Sequence, residues 1–139
     1  MGYKRTASIL ILISAVSCTQ NREDVKLKQY MVQGQILYRQ HCSNCHQENG
    51  QGLGKLYPPL AQSDYMLASV KRSVCGIKNG INGEIVVNGE RYNQAMNGYP
   101  QLTDIEIAEI TTYIYNSWEN NEGLIAVDTV SQLLDSCNK

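Results

Sequence analysis

Between Arg39 and Gly50 the chain reads RQHCSNCHQENG, which places His41, Cys42, Cys45 and His46 within six residues and uses both histidines of the sequence. Thiols and imidazoles bind zinc, and two closely spaced thiols can also form a redox dithiol. A structural zinc site normally takes four ligands as two pairs separated by a loop. Cys75 and Cys137 are too far apart in the chain to be a second pair, and His41 and His46 flank the thiols too tightly for one unstrained tetrahedron. A thioredoxin-like dithiol needs a βαβ setting, of which the surrounding chain has no sign. Cys42-Ser43-Asn44-Cys45-His46 is instead a C-x-x-C-H pattern, that of covalent haem c attachment. Thiols at this spacing sit about one helical turn apart. There they can add to two vinyl groups on one porphyrin edge, with the next histidine under the iron as proximal ligand. His41, one residue before the first thiol, cannot reach the other haem face and is expected at a helix end on the surface.

These residues need elements to hold them. Met31, Gly34, Leu37 and Tyr38 fall at helical spacing, predicting a first helix over Gln29 to Cys42. The glycine- and proline-rich QENGQGLGKLYPPL after the motif is a loop. A second helix is expected from Asp64 to Cys75, with Ser63 as N-cap. In GEIVVNGERYNQAM, Asn88-Gly89 between β-favouring residues predicts a hairpin with a type I′ turn. Thr103 to Glu106 forms a capping box that opens the clearest helix, whose apolar face carries Ile107, Ile110, Thr111, Ile114 and Trp118. A last helix, Thr129 to Ser136 with Asp128 as cap, carries Cys137 back toward the body. The expected class is mostly α with one small hairpin.

The N-terminus reads as a targeting segment. Lys4 and Arg5 precede the short apolar run ASILILISAVS, so residues 1–17 are expected to be a cleaved signal peptide. SAVSC also resembles a relaxed lipobox, which would make Cys18 a lipidated N-terminus. Residues 18–28 then form a lipid-anchored cysteine with a flexible polar tether, and 29–139 the folded domain. An odd thiol is a liability in an exported protein, and the chain has five cysteines. With Cys18 lipidated and Cys42 and Cys45 on a cofactor, Cys75 and Cys137 remain to pair as a disulfide. Charge is nearly balanced, and no basic run or aromatic-basic interleaving points to nucleic acid. Tyrosine supplies nine aromatic residues and phenylalanine none, so a core of this composition is thin unless a cofactor fills it.

From Met31 to Trp118 the sequence resembles the class I monohaem cytochrome c family. Gly34, Tyr38, Cys42 and His46 recur every four residues, like the small residue, aromatic, cysteine and histidine of that family's first helix. The resemblance implies a mostly α fold of three to five helices wrapped around one covalent haem, with a C-terminal helical extension here. It implies that Ile110 and Tyr113 of the helix opened at Thr103 cross closely at Gly34 and Tyr38. It also implies that the Pro58 carbonyl accepts the Nδ1–H of His46, and that Leu60 packs on the haem. Met96, in a non-helical stretch before the capped helix, matches the family's axial methionine. Met66, inside a helix, and an open sixth position stay as alternatives, whereas Met31 lies on the attachment side. Arg91 and Tyr92 on the hairpin match polar residues that meet a haem propionate in relatives; a solvated hairpin face is the other reading.

With His46 and Met96 both on iron (metal ligands), the expected function is an electron-transfer cytochrome cycling Fe(III)/Fe(II), not an enzyme. It is expected as a monomer on the periplasmic side of a bacterial membrane, meeting redox proteins transiently. The alternative is a haem c subunit of a larger dehydrogenase, oxidase or reductase complex. A third possibility, a peroxidase or gas sensor, requires an open sixth position.

Overall fold

The computed structural model describes the backbone of residues 6–137 and the side chains of residues 22–137. Helix α1 spans Thr6–His41, and α2, Ser43–His46, follows it almost directly. Then come α3 (Asp64–Leu67), α4 (Val70–Asn79), β1 (Ile85–Val87), β2 (Glu90–Tyr92), α5 (Asp104–Tyr115) and α6 (Val127–Leu134). The result is six helices and one two-stranded sheet among the described residues, a mostly α fold with a small hairpin. The expected signal peptide, residues 1–17, and Cys18 lie outside the residues whose side chains are described. Among the described residues, no helix is long and apolar enough to cross a membrane.

Helix α1 starts far earlier than the expected Gln29. No glycine or proline interrupts the stretch before Gly34, and residues 22–28, read above as a tether, continue the helix with mostly exposed side chains. From Tyr30 onward α1 buries one face. It crosses α5 at Gly34, where an added Cβ would lie 2.1 Å from the Glu109 carbonyl oxygen and 2.7 Å from Tyr113 Cβ. Only hydrogen fits there, so the two backbones meet directly. Leu37 and Tyr38 of α1 and Ile107, Ile110 and Ile114 of α5 are buried in the core around the crossing.

The expected single helix over 64–75 is two. Ser63 accepts from the Met66 N–H and Ser69 from the Arg72 N–H, so a second N-cap within six residues breaks the run at Ala68–Ser69. Helix α4 continues past Cys75 to Asn79. In the hairpin, Asn88 (φ 51°) and Gly89 (φ 82°) both take left-handed backbone, as a type I′ turn requires. The capping box at Thr103 is formed. Helix α5 stops at Tyr115, so Trp118 leaves the helical face and folds back, its ring centroid 5.2 Å from Tyr38 and 5.6 Å from Tyr113. Helix α6 begins two residues before the expected Thr129. Ala126 occupies the cap position without a side-chain bond, and Asp128 sits in the first turn, where its charge suits the helix dipole. A disulfide joins Cys75 of α4 to Cys137 just after α6.

Candidate cofactor site

A cavity of about 220 Å³ lies between α2, the glycine loop, α4, α5 and the segment after β2. The C-x-x-C-H residues enter it from one short helix. Cys42 is the N-cap of α2, and its carbonyl accepts the N–H groups of Cys45 and His46 at 3.2 and 3.0 Å. That single turn brings Cys42, Cys45 and His46 to one wall of the cavity. Both thiols are free and half-buried. Burial, with Cys45 close by, pushes the Cys42 thiol up to about 12, so it stays protonated near neutrality. Among the described residues, no three histidine, cysteine or acidic side chains converge as a metal-ion cluster.

His46 is 9 % exposed, and its Nδ1 lies 2.9 Å from the Pro58 carbonyl oxygen. A carbonyl only accepts, so Nδ1 carries the proton. Burial lowers the imidazole's pKa, outweighing the Pro58 bond that raises it, and the ring is neutral with a free Nε2 lone pair. The loop that offers Pro58 is held at close range. The Gly50 carbonyl accepts from Leu60 and Ala61, and Gly52 donates to the His46 carbonyl at 3.0 Å. Gly52 has φ 68°, and a Cβ there would come within 2.2 Å of the Tyr57 carbonyl oxygen.

Met96 enters the same cavity from the segment after β2. Two backbone hydrogen bonds of 2.9 Å pair it with Ile81. The residues behind it are tied as well: Tyr99 N–H donates to Ile77 O at 2.8 Å, and the Tyr99 hydroxyl donates to the His41 carbonyl at the end of α1. Lys78 Nζ donates to the carbonyls of Pro100 and Leu102 at 2.9 and 2.8 Å. Asn97-Gly98-Tyr99-Pro100 is therefore a fastened loop.

The structure brings Cys42, Cys45, His46, Pro58, Leu60, Tyr92 and Met96 to one cavity. Arg91 is not brought there. It pairs with Val86 on the outer face of the hairpin, is exposed, and forms an ion pair with Glu84. Strand alternation turns its neighbour Tyr92 inward, 7 % exposed. His41 lies outside the cavity lining, its ring edge-on to Tyr99. Met31 and Met66 pack in or against the core, away from the lining. Tyr57, Tyr99, Ile77 and Ile81 line the cavity without having been singled out in the sequence. Tyr57 could have been flagged, since it directly precedes Pro58-Pro59. The pairing of Ile81 with Met96 has no local signal, because the two meet only after the hairpin folds.

The donor set fits haem c: two free thiols one turn apart, an imidazole with a fixed tautomer, and a thioether, in a mostly apolar lining. A Cytochrome c family model matches residues 31–118. The chain is 31 % identical to a cytochrome c-552 of Thermus thermophilus over 119 residues, covering 83 % of this chain and 72 % of that protein. A second Thermus thermophilus cytochrome c-552 is 36 % identical over 89 residues, 61 % of this chain and 67 % of the relative. The cytochrome c subunit of a quinone alcohol dehydrogenase from Gluconobacter oxydans is 25 % identical over 72 % of this chain, which spans only 21 % of that subunit. With the attachment pattern, the cavity and these matches together, the chain belongs to the cytochrome c family as a class I monohaem c-type cytochrome, an electron-transfer protein with one covalently bound haem c.

Proposed function

We propose that Cys42 and Cys45 form the thioether bonds to the haem and that His46 and Met96 are its two axial ligands, so that the protein works as an outer-sphere electron carrier and not as an enzyme. Bound haem c supplies an iron that cycles between Fe(III) and Fe(II). The chain's own residues do the rest. Pro58 fixes the His46 tautomer and raises its basicity as a ligand. The bridge to Ile81 holds the Met96 backbone in place. Apolar Leu60, Ile77, Ile110 and Ile114 keep water from the cavity. With both donors held in advance, little protein rearrangement accompanies a change of oxidation state.

The observation that carries this reading is the His46–Pro58 bond inside a cavity that Met96 also enters. In the test, the far-red sulfur-to-iron band of the ferric protein disappears in Met96→Ala and survives in Met66→Ala. The alkaline pyridine spectrum shows both vinyls saturated. Rapid, tight carbon monoxide binding to the reduced wild type would replace the carrier with a sensor or peroxidase-like protein.

The carrier is exported and monomeric, anchored through a lipid on Cys18 at the periplasmic side of a bacterial membrane, and meets its redox partners in short-lived encounters. Mass spectrometry of the mature N-terminus decides the anchor. The likeness to a dehydrogenase cytochrome subunit favours a second reading, in which the protein is the haem subunit of a larger oxidoreductase complex. Stable co-purification with such an enzyme is the result that selects it.

A further inference from the structure

Most non-glycine backbone strain among the described residues lies in one place. Among the described residues, five non-glycine residues have left-handed backbone: Gln47, Gln62, Asn88, Trp118 and Glu119. Asn88 belongs to the hairpin turn. The other four all lie where the exit of α5 meets the loops that follow His46. Such conformations persist only where their surroundings over-determine them, and three of the four, Gln62, Trp118 and Glu119, are bonded to Asn120 or directly precede it in the chain.

Asn120 is 5 % exposed and uses its whole side-chain amide. Its Nδ2 donates to Leu60 O at 3.2 Å and to Ile114 O at 2.8 Å; its Oδ1 accepts from the Gln62 N–H at 3.1 Å and the Gln62 side-chain amide at 3.3 Å. Trp118, two residues earlier, donates from Nε1 to Glu48 O at 3.2 Å. Residues 60–62 are thus gripped by Gly50 on one side and by Asn120 on the other, two residues from the carbonyl that meets His46. A left-handed residue is tolerated when a bond network repays its strain; Asn120 supplies that network directly for Gln62, and its bond to Ile114 O fixes the chain just after Trp118 and Glu119.

We infer that Asn120 is a positioning residue for the cofactor's histidine, acting through Leu60 and Pro58 to keep the Pro58 carbonyl on His46 Nδ1. This rests on His46 being the axial ligand. Removing the grip weakens the Nδ1–H···O bond, which makes the imidazole a poorer donor and favours the reduced protein.

The test uses the holoprotein. In Asn120→Ala, the solvent exchange of the His46 Nδ1 proton, followed by NMR in the ferrous state, is expected to accelerate by about tenfold or more, and the reduction potential to rise. Unchanged exchange and potential, with only a lower denaturant midpoint, would make Asn120 a purely structural residue and overturn the inference. If the alanine variant does not fold, Asn120→Ser takes its place with the same two outcomes. It adds no charge, and its shorter side chain cannot span from Gln62 to the Leu60 and Ile114 carbonyls. The underlying reading fails separately: if His46 ring protons of the ferric wild type lack the hyperfine shifts of an iron ligand, His46 is not the ligand, whatever Asn120 does.

Discussion

The part of the molecule that carries His46 and the part that carries Met96 are held by different means. Around His46 the backbone bonds of Gly50 and Gly52 are reinforced by bonds from distant side chains: Tyr38 hydroxyl to Gln47 O, Trp118 Nε1 to Glu48 O, and Asn120 Nδ2 to Leu60 O. Four left-handed non-glycine residues and the Tyr38–Tyr113–Trp118 ring cluster sit in the same region. Met96 instead hangs mainly from α4 and the residues just after it: its backbone pairs with Ile81, Tyr99 behind it bonds Ile77, and Lys78 cross-links the loop, with the Tyr99 hydroxyl adding one tie to the end of α1. The first arrangement depends on the α1–α5 crossing. The second depends on where α4 lies, and α4 is in turn joined to the C-terminal extension by Cys75–Cys137. Disturbing one side should therefore leave the other's geometry largely intact.

The largest effect is expected from the disulfide. Replacing both Cys75 and Cys137 by serine opens a cross-link between residues 62 apart and should cost about 4 kcal/mol in denaturant unfolding. Carbon monoxide should then bind faster, because α4 carries the Met96 side, while the His46 Nδ1 proton exchanges as before. Faster exchange of that proton would show that the two sides are coupled.

Next is Gly52→Ala, expected to cost roughly 3 kcal/mol by combining a left-handed backbone with a backbone clash beside Pro58. Gly54→Ala is the control. It shares the left-handed backbone but nothing lies within 4 Å of its added Cβ, so about 1 kcal/mol is expected. Equal losses in the two variants would mean that the close approach to Tyr57 and Pro58 is unimportant. Tyr99→Phe removes one hydroxyl bond from the Met96 loop to α1 and should cost about 1 kcal/mol. Stopped-flow carbon monoxide binding should accelerate several-fold, with the His46 proton unaffected.

The smallest effect lies at the exit of the Met96 loop. The Thr103 N–H and hydroxyl, the leading causes, hold the Glu106 carboxyl below the usual carboxylate range. A lowered folded-state value means that this contribution is complete above the unfolded value and disappears as pH falls through the folded one. Glu106→Gln keeps a capping-box geometry without the charge, so its stability should respond less to acid than the wild type's. Thr103→Ala should lose about 1 kcal/mol at neutral pH, read from thermal unfolding.

Local chemistry was legible wherever the deciding partners are neighbours in the chain. The Asn88-Gly89 turn, the Thr103 capping box and the Ser63 cap each close within a few residues, and all three formed as read. Reading failed where a local signal was underweighted or absent. Ser69 is a second cap inside a stretch read as one helix. The continuation of α1 through residues 22–28 was hidden because charged residues suit an exposed helix as well as a tether. Arg91 faces outward because hairpin register, not residue type, chooses its side.

The sequence by itself determined the reactive cluster and its spacing, since C-x-x-C-H needs only one helical turn to present two thiols and an imidazole together. It also determined that Gly34 admits a helix crossing, because no side chain is smaller than its hydrogen. Only the tertiary structure decided which carbonyl His46 meets, what holds Met96, and that Asn120 closes the junction between the exit of α5 and the Pro58 loop. Those partners are separated by twelve to sixty residues. Their bonds exist only after the backbone has been brought round, and a buried amide such as Asn120 is indistinguishable in the chain from one left in water.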